Sequence, residues 1–183
     1  MTEKVSTAAR NLLFGSAAVV SIGLDQWTKV LARTHLKPLG PSGHKTVVAN
    51  YFDLRYSENT GVAFGMFQNL PGGKYWLSLV GLLALALVVY YLVKSGPRQM
   101  RLHVALGLVF GGAIGNLVDR IYFSKVTDFI VWHVGRHEWP AFNIADAALV
   151  VGVCLMALDM LLDKRGQVAT PAAPPDPAGG NES

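Results

Sequence analysis

Four long apolar runs divide the chain, and they predict four membrane-spanning helices. Each run holds roughly 18–21 residues, which at a helical rise of about 1.5 Å per residue is enough to cross a hydrocarbon core of about 30 Å. We therefore predict an all-α polytopic membrane protein in which residues 1–165 form a single four-helix domain. The predicted spans are residues 12–31, 75–93, 102–121 and 142–162.

The segment between the first two spans, residues 33–74, has a different pattern that predicts a small β-sheet. Apolar and charged residues alternate from 52 to 56, as expected for a half-buried strand. Residues 57–61 have the composition of a turn, and the apolar stretch 62–67 predicts a second strand. We expect this first outer loop to form a sheet, or cradle, on the outer surface of the membrane.

The third span carries three glycines spaced four residues apart, Gly107, Gly111 and Gly115. This spacing places them on one face of a helix. Small residues on a shared face let a second membrane helix approach closely. We therefore expect another helix to pack against this face.

The composition supports a membrane protein and excludes other classes. The 183 residues are 51% hydrophobic and 15% charged, whereas soluble domains carry about 25% charged residues. The formal net charge is +4, and the basic residues form no single stripe, which argues against a nucleic-acid surface. Residues 166–183 are rich in proline, alanine and glycine, so we predict a disordered cytoplasmic tail.

Basic residues cluster at one set of span ends, and the positive-inside rule places these clusters in the cytoplasm. Both termini are then cytoplasmic, while the loops 33–74 and 122–141 face outward. The first span has no convincing small-residue cleavage site at its end, so we expect it to be retained rather than removed as a signal peptide. The clustered residues are Lys4 and Arg10, then Lys94, Arg98 and Arg101, then Lys164 and Arg165.

Polar residues interrupt the outer ends of two spans. Asp25 and Lys29 are four residues apart and share a helix face, as a buried ion pair or as anchors at the membrane interface. Asn116 and Arg120 have the same spacing, with Asp119 beside them. Charged residues within spans are expensive and generally functional, so these positions are candidates for a site scaffold.

Two further aspartates lie at the outer membrane boundary. Asp128 follows the third span, and Asp146 opens the fourth, three residues after Asn143, with which it shares a helix face. The apolar neighbours of Asp128 should raise its pKa, because burial disfavours the charged form. Two carboxylates brought together would share one proton, which is the chemistry of aspartic proteases.

Other functions remain open from the residues alone. His133 and His137, with Glu138 adjacent, could bind zinc, although the order differs from His-Glu-x-x-His and there is no obvious third ligand. A small transporter could use the intramembrane acids as a proton relay, and a scaffold protein could use the glycine face and the outer sheet for docking. The polar residues cluster at one face and cross no further, which disfavours transport.

The chain resembles lipoprotein signal peptidases, also called signal peptidase II. The resemblance extends over nearly the whole chain except the tail. It rests on five ordered motifs: DQWTK at 25–29, NTGVAFG at 59–65, GNLVDR at 115–120, VTDF at 126–129 and FNIAD at 142–146.

The resemblance implies a bacterial plasma-membrane aspartyl protease whose catalytic dyad is Asp128 and Asp146. Such an enzyme cuts a prolipoprotein signal peptide before a diacylglyceryl-modified cysteine and is inhibited by globomycin. It needs no cofactor or metal, has membrane lipid around it, and is expected to be a monomer. The residues expected to support the dyad or bind substrate are Asp25, Lys29, Asn59, Gly61, Asn116, Asp119, Arg120 and Asn143.

Overall fold

The computed structural model describes residues 2–60, 73–95 and 99–168, and helices dominate it. Three stretches are long and apolar enough to cross a membrane: Thr7–Leu39, Met100–Phe123 and Ile144–Leu162. In the second helix the apolar stretch is too short to be counted with these three, so the fourth span remains a prediction. The helices are α1 (Thr2–Leu31), α2 (Gly73–Lys94), α3 (Met100–Phe123) and α4 (Ile144–Val168).

The first helix does not end where the sequence predicted an outer loop at residue 33. It continues as a π-helical turn, Ala32–Leu36, and a 3₁₀ turn, Lys37–Leu39. Ala32 and Leu36 are buried against Phe129. The helical conformation persists because its apolar face meets Phe129, in the segment between α3 and α4, and a local sequence pattern does not reveal this contact.

Helix α3 lies at the centre of the helical layer and packs against the other three helices. A Cβ atom added to Gly107 would lie 2.5 Å from the carbonyl oxygen of Phe14, and one added to Gly111 would lie 2.7 Å from the Cβ of Ser21. Both contacts are closer than real Cβ atoms permit, so only glycine allows α1 this close. The predicted helix approach along the glycine face is confirmed.

The outward faces of the helices are apolar. Val19, Val93 and Val153 are 70%, 78% and 56% exposed, and they stand among many other exposed large hydrophobic side chains. An apolar surface of this extent is incompatible with water and matches the interior of a bilayer.

The sheet is larger than predicted and draws on two segments instead of one, the segment between α1 and α2 and the segment between α3 and α4. It has four antiparallel strands in the order β1-β2-β3-β4. The first two strands come from the first outer loop and the last two from the segment between α3 and α4. The strands are β1 (His44–Val48), β2 (Phe52–Asn59), β3 (Val126–Val134) and β4 (His137–Glu138).

Strand β2 runs through most of the segment predicted to be a turn. Ser57 pairs with Asp128 and Asn59 with Val126, after a bulge that follows Leu54. A strand about 70 residues away supplies these partners, and a turn predicted from local composition cannot anticipate them. The predicted strand 62–67 lies outside the described residues.

Candidate active site

The two aspartates lie in different secondary-structure elements, which are linked by a short segment of the chain. Asp128 lies in β3, and Asp146 lies in the first turn of α4. Phe142, just before α4, forms an isolated bridge with Ile130: its nitrogen donates to the Ile130 oxygen at 3.0 Å, and its oxygen accepts from the Ile130 nitrogen at 2.9 Å. This bridge holds the start of α4 against the strand that carries Asp128.

The spacing had predicted that Asn143 shares a helix face with Asp146. Asn143 instead stands just before helix α4 and caps it. Its Oδ1 accepts from the Asp146 nitrogen at 3.0 Å, and Oδ2 of Asp146 accepts from the Asn143 nitrogen at 3.2 Å. This reciprocal pair is a capping box, which satisfies two otherwise unpaired N–H groups. Because Asn143 stands outside the helix, its Nδ2 is free to reach Asp128.

Each aspartate is held by side-chain amides. Nδ2 of Asn143 donates to Oδ1 of Asp128 at 2.7 Å, and Nδ2 of Asn59 donates to Oδ2 at 3.1 Å. Nδ2 of Asn116 donates to Oδ1 of Asp146 at 2.8 Å. Asn143 also donates to Oδ1 of Asn116 at 3.2 Å, so one hydrogen-bonded network links both carboxylates.

The environment of Asp128 favours its protonated form. Burial raises its pKa to about 7, and the negative charge of Asp146 acts in the same direction. The hydrogen bonds from Asn59 and Asn143 oppose this rise, because they stabilise the carboxylate. The direction is the one predicted from the apolar neighbours of Asp128, and it allows this carboxyl to hold a proton near neutral pH.

A second buried cluster, made of ion pairs, lies beside the aspartates. Nζ of Lys29 is 2.9 Å from Oδ2 of Asp25, 2.9 Å from Oδ1 of Asn116 and 3.7 Å from Oδ2 of Asp119. Asp25 also accepts from the Ala145 nitrogen at 2.9 Å, in the first turn of α4. The side chains of Asp25, Lys29 and Asp119 are fully buried, so the interpretation of Asp25 and Lys29 as interface anchors is wrong.

Both aspartates face one cavity of about 730 Å³. It lies between helices α2, α3 and α4 and the end of β2, and Arg120 lines it together with the two acids. In the described residues Nη1 of Arg120 donates to the carbonyl oxygen of Asn116 at 3.3 Å, and no hydrogen bond joins it to either aspartate. Arg120 is therefore available to a molecule in the cavity. Gly61, another expected site residue, lies outside the described residues.

The sequence pattern of the family described as Signal peptidase (SPase) II matches residues 17–162, which include every residue of this site. The chain belongs to the signal peptidase II family. The predicted resemblance is confirmed, and the fold brings together residues from all five motifs, of which residues 61–65 lie outside the described part of the chain.

Individual relatives agree with the family assignment. A lipoprotein signal peptidase of Symbiobacterium thermophilum is 39% identical over 148 residues, covering 81% of this chain and 93% of that protein. One from Bacillus pumilus is 41% identical over 146 residues, covering 80% and 90%. A solved structure described as a bacterial membrane enzyme matches with a TM-score of 0.72 and 28% identity, over 86% of this chain and 92% of that one.

Sequence reasoning missed two members of this signal peptidase II site, Arg33 and Thr127. Nη1 of Arg33 is 3.2 Å from Oδ1 of Asp119 and 3.0 Å from Oγ1 of Thr127. Arg33 fell in a predicted loop, where an arginine is unremarkable in sequence, and only the helical extension beyond Leu31 carries it inward.

The zinc alternative gains no support from the described residues. His133 lies 3.1 Å from Oδ2 of Asp53, on the sheet and away from the cavity. No group of three histidine, cysteine, aspartate or glutamate side chains there has the geometry of a metal site.

Proposed function

We propose that this chain is an aspartyl endopeptidase that removes signal peptides from diacylglyceryl-modified prolipoproteins by cutting before the lipidated cysteine. The observation that carries the proposal is the pairing of Asp128 and Asp146 at one cavity, where amide donors hold both carboxylates. Membership of a family of membrane proteases and the lipoprotein signal peptidases among the relatives support the substrate class.

The proposed reaction uses one proton shared by two acids. The ionised aspartate takes a proton from a water molecule held between the pair, and the protonated partner polarises the scissile carbonyl. The water oxygen attacks the carbonyl carbon, the carbon–nitrogen bond breaks, and the proton passes to the leaving nitrogen. In this proposal the single proton is shared by the dyad and is not assigned to one of the two acids.

The supporting residues have distinct proposed roles. Asn59, Asn116 and Asn143 hold the two carboxylates, while the cation of Arg120 is placed to bind a peptide carbonyl in the cavity. Asp25, Lys29 and Asp119 hold the ends of the helices around the dyad. Gly61, in the motif at 59–65, is proposed to contact substrate.

The membrane arrangement completes the proposal. We infer four spans, both termini in the cytoplasm, and an active site at the outer face of a bacterial plasma membrane, as the basic clusters predict. The acyl chains of the substrate would then stay in the bilayer while the peptide enters the cavity. The proposed enzyme is a monomer, uses no cofactor and is inhibited by globomycin.

The decisive experiment measures cleavage of a diacylglyceryl-modified prolipoprotein by purified wild type, Asp128→Asn and Asp146→Asn. Asparagine keeps the shape but carries no exchangeable acid proton, so each variant should lose at least about 10³-fold in rate. Asp53→Asn, which changes an acid on the sheet near His133, is the matched control and should cut normally. Cleavage by either site variant at the wild-type rate contradicts the dyad.

A further inference from the structure

A cluster of four residues adjoins Asp128 and is not among the described residues that line the cavity: Arg33, Asp119, Phe123 and Thr127. Arg33 projects from the π-helical turn that follows α1 and is 18% exposed. Its guanidinium lies 4.4 Å from the ring centroid of Phe123, and Nη1 donates to both Oδ1 of Asp119 and Oγ1 of Thr127.

Thr127, the residue before Asp128, pairs with Glu58 in the sheet and is also bound by Asp119 and Arg33. Its backbone nitrogen donates to Oδ2 of Asp119 at 2.9 Å, and its hydroxyl oxygen accepts from Arg33 at 3.0 Å. Asp119 therefore uses one oxygen for Arg33 and the other for the Thr127 backbone. Since Asp119 and Thr127 are buried, water does not compete for these bonds.

We propose that Arg33 is a positioning residue for the reaction, which acts by holding Thr127 through its hydroxyl and through Asp119 and so fixes the place of Asp128 in the dyad. The proposal rests on the proposed function of Asp128. Arg33 does not touch the reacting atoms, and among the described residues those lining the cavity include neither Arg33 nor Thr127.

The physical reason is that the dyad tolerates little displacement. The Asp128 carboxylate reaches Asn59 with one oxygen and Asn143 with the other, and these donors come from β2 and from the cap of α4. A shift of β3 by a fraction of an ångström would lengthen one of these bonds. Misplacing a reacting group by about 1 Å can cost about 10²-fold in rate.

Charge compensation alone does not account for the geometry of Arg33. Lys29 already supplies a cation 3.7 Å from Asp119, so the buried carboxylate keeps a counter-charge without Arg33. What Arg33 adds is a bond to the Thr127 hydroxyl from the same nitrogen that contacts Asp119. A lysine at position 33 would keep the charge without the planar fork of arginine.

The experiment measures kcat and KM on the lipidated prolipoprotein for Arg33→Met, Arg33→Lys, Thr127→Val and the double variant Arg33→Met/Thr127→Val. Both single removals should lower kcat about 10- to 100-fold and leave KM unchanged, because neither residue meets substrate. Arg33→Lys should recover part of the rate. The double variant should lose no more activity than the less active single variant, since both changes remove the same contact between Arg33 and Thr127.

Arg55→Met is the matched control, because Arg55 lies on the same sheet and pairs with Glu138 at the surface. Its kcat should equal that of wild type. Rates are expressed per folded enzyme, and if Arg33→Met does not fold, the nearly isosteric Thr127→Val decides the question. An unchanged kcat in Thr127→Val, or a change confined to KM, overturns the positioning role.

Failure of this inference differs from failure of the proposed function. If Asp128→Asn is inactive while Arg33→Met and Thr127→Val cut at the wild-type rate, the dyad stands and the positioning role is wrong. If Asp128→Asn retains activity, the proposed function itself is wrong, whatever the Arg33 variants do.

Discussion

Two clusters of polar side chains meet at Asn116, and they compensate their carboxylates with different groups. The ion-paired cluster contains Asp25 and Asp119 with the cations of Lys29 and Arg33. In the amide-held pair, Asp128 and Asp146 receive hydrogen bonds from three asparagines, Asn59, Asn116 and Asn143. Asn116 joins the two, since its Oδ1 accepts from Lys29 and its Nδ2 donates to Asp146.

The difference shows that a buried carboxylate does not by itself mark a reactive site. In the ion-paired cluster two carboxylates face two cations, so each acid has a positively charged partner within 4 Å. In the described residues no ion pair joins Asp128 or Asp146 to a lysine or arginine. Amide donors compensate two adjacent charges only in part, so the proposed function requires the pair to hold one proton that it can transfer.

The largest expected effect comes from removing the cation at the centre of the ion-paired cluster. Lys29→Met leaves Asp25 without its nearest cation inside the protein, which should destabilise the fold by about 3–5 kcal/mol. In a protein of this size that corresponds to a melting temperature lower by roughly 10 °C. Thermal unfolding in detergent, followed by circular dichroism, measures the change.

A second substitution tests whether uncompensated charge is the cause. Lys29→Met/Asp25→Asn removes the stranded carboxylate as well, and it should be more stable than Lys29→Met alone. Lys45→Met, at an exposed lysine on β1, is the control and should melt like wild type. If the double variant is the less stable of the two, charge compensation does not distinguish the ion-paired cluster.

The sequence predicted the contacts of the ion-paired cluster better than those of the amide-held pair. The pairing of Asp25 with Lys29 follows from their spacing on a helix, and the apolar runs predict the helices themselves. The amide-held pair depends on β2 meeting β3 across about 70 residues and on Asn143 leaving the helix to cap it. Those contacts come from tertiary packing, so the motifs identified the residues without their partners.

A smaller effect should separate the two tasks of Asn143 in the amide-held pair. Asn143→Ser keeps a good helix cap but removes the Nδ2 donor to Asp128, whereas Asn143→Ala removes both. Both variants should cut about 10-fold more slowly, because a hydrogen bond that holds the Asp128 carboxyl group is lost. Only Asn143→Ala should lose stability, by about 1 kcal/mol.

Rates and melting curves for these two variants separate the roles of the cap and the amide. Wild-type activity in Asn143→Ser would show that the cap, and not the amide, is what the site needs. Equal stability of the two variants would show instead that the capping box contributes little to α4.

The smallest expected effect is a displaced pH profile, and it tests the shared proton directly. With the pKa of Asp128 raised to about 7, kcat/KM of the wild type should fall as pH rises through that value, because the deprotonated pair lacks an acid to polarise the carbonyl. The Asn59 amide stabilises the charged carboxylate and so lowers the pKa of Asp128. Asn59→Ala should therefore move the alkaline limb to higher pH.

The sign of this shift distinguishes the amide-held pair from a simple ion pair. Because folding raises the pKa of Asp128, the contribution of this group to the free energy of unfolding is largest at acid pH. It falls as pH rises from the pKa of the unfolded state, about 3.9, to about 7. Asp128→Asn removes that dependence, so its melting temperature should change less than that of wild type between pH 4 and pH 7. A limb that moves to lower pH in Asn59→Ala would mean that Asn59 stabilises the protonated acid, and the two clusters would then differ in geometry rather than in charge.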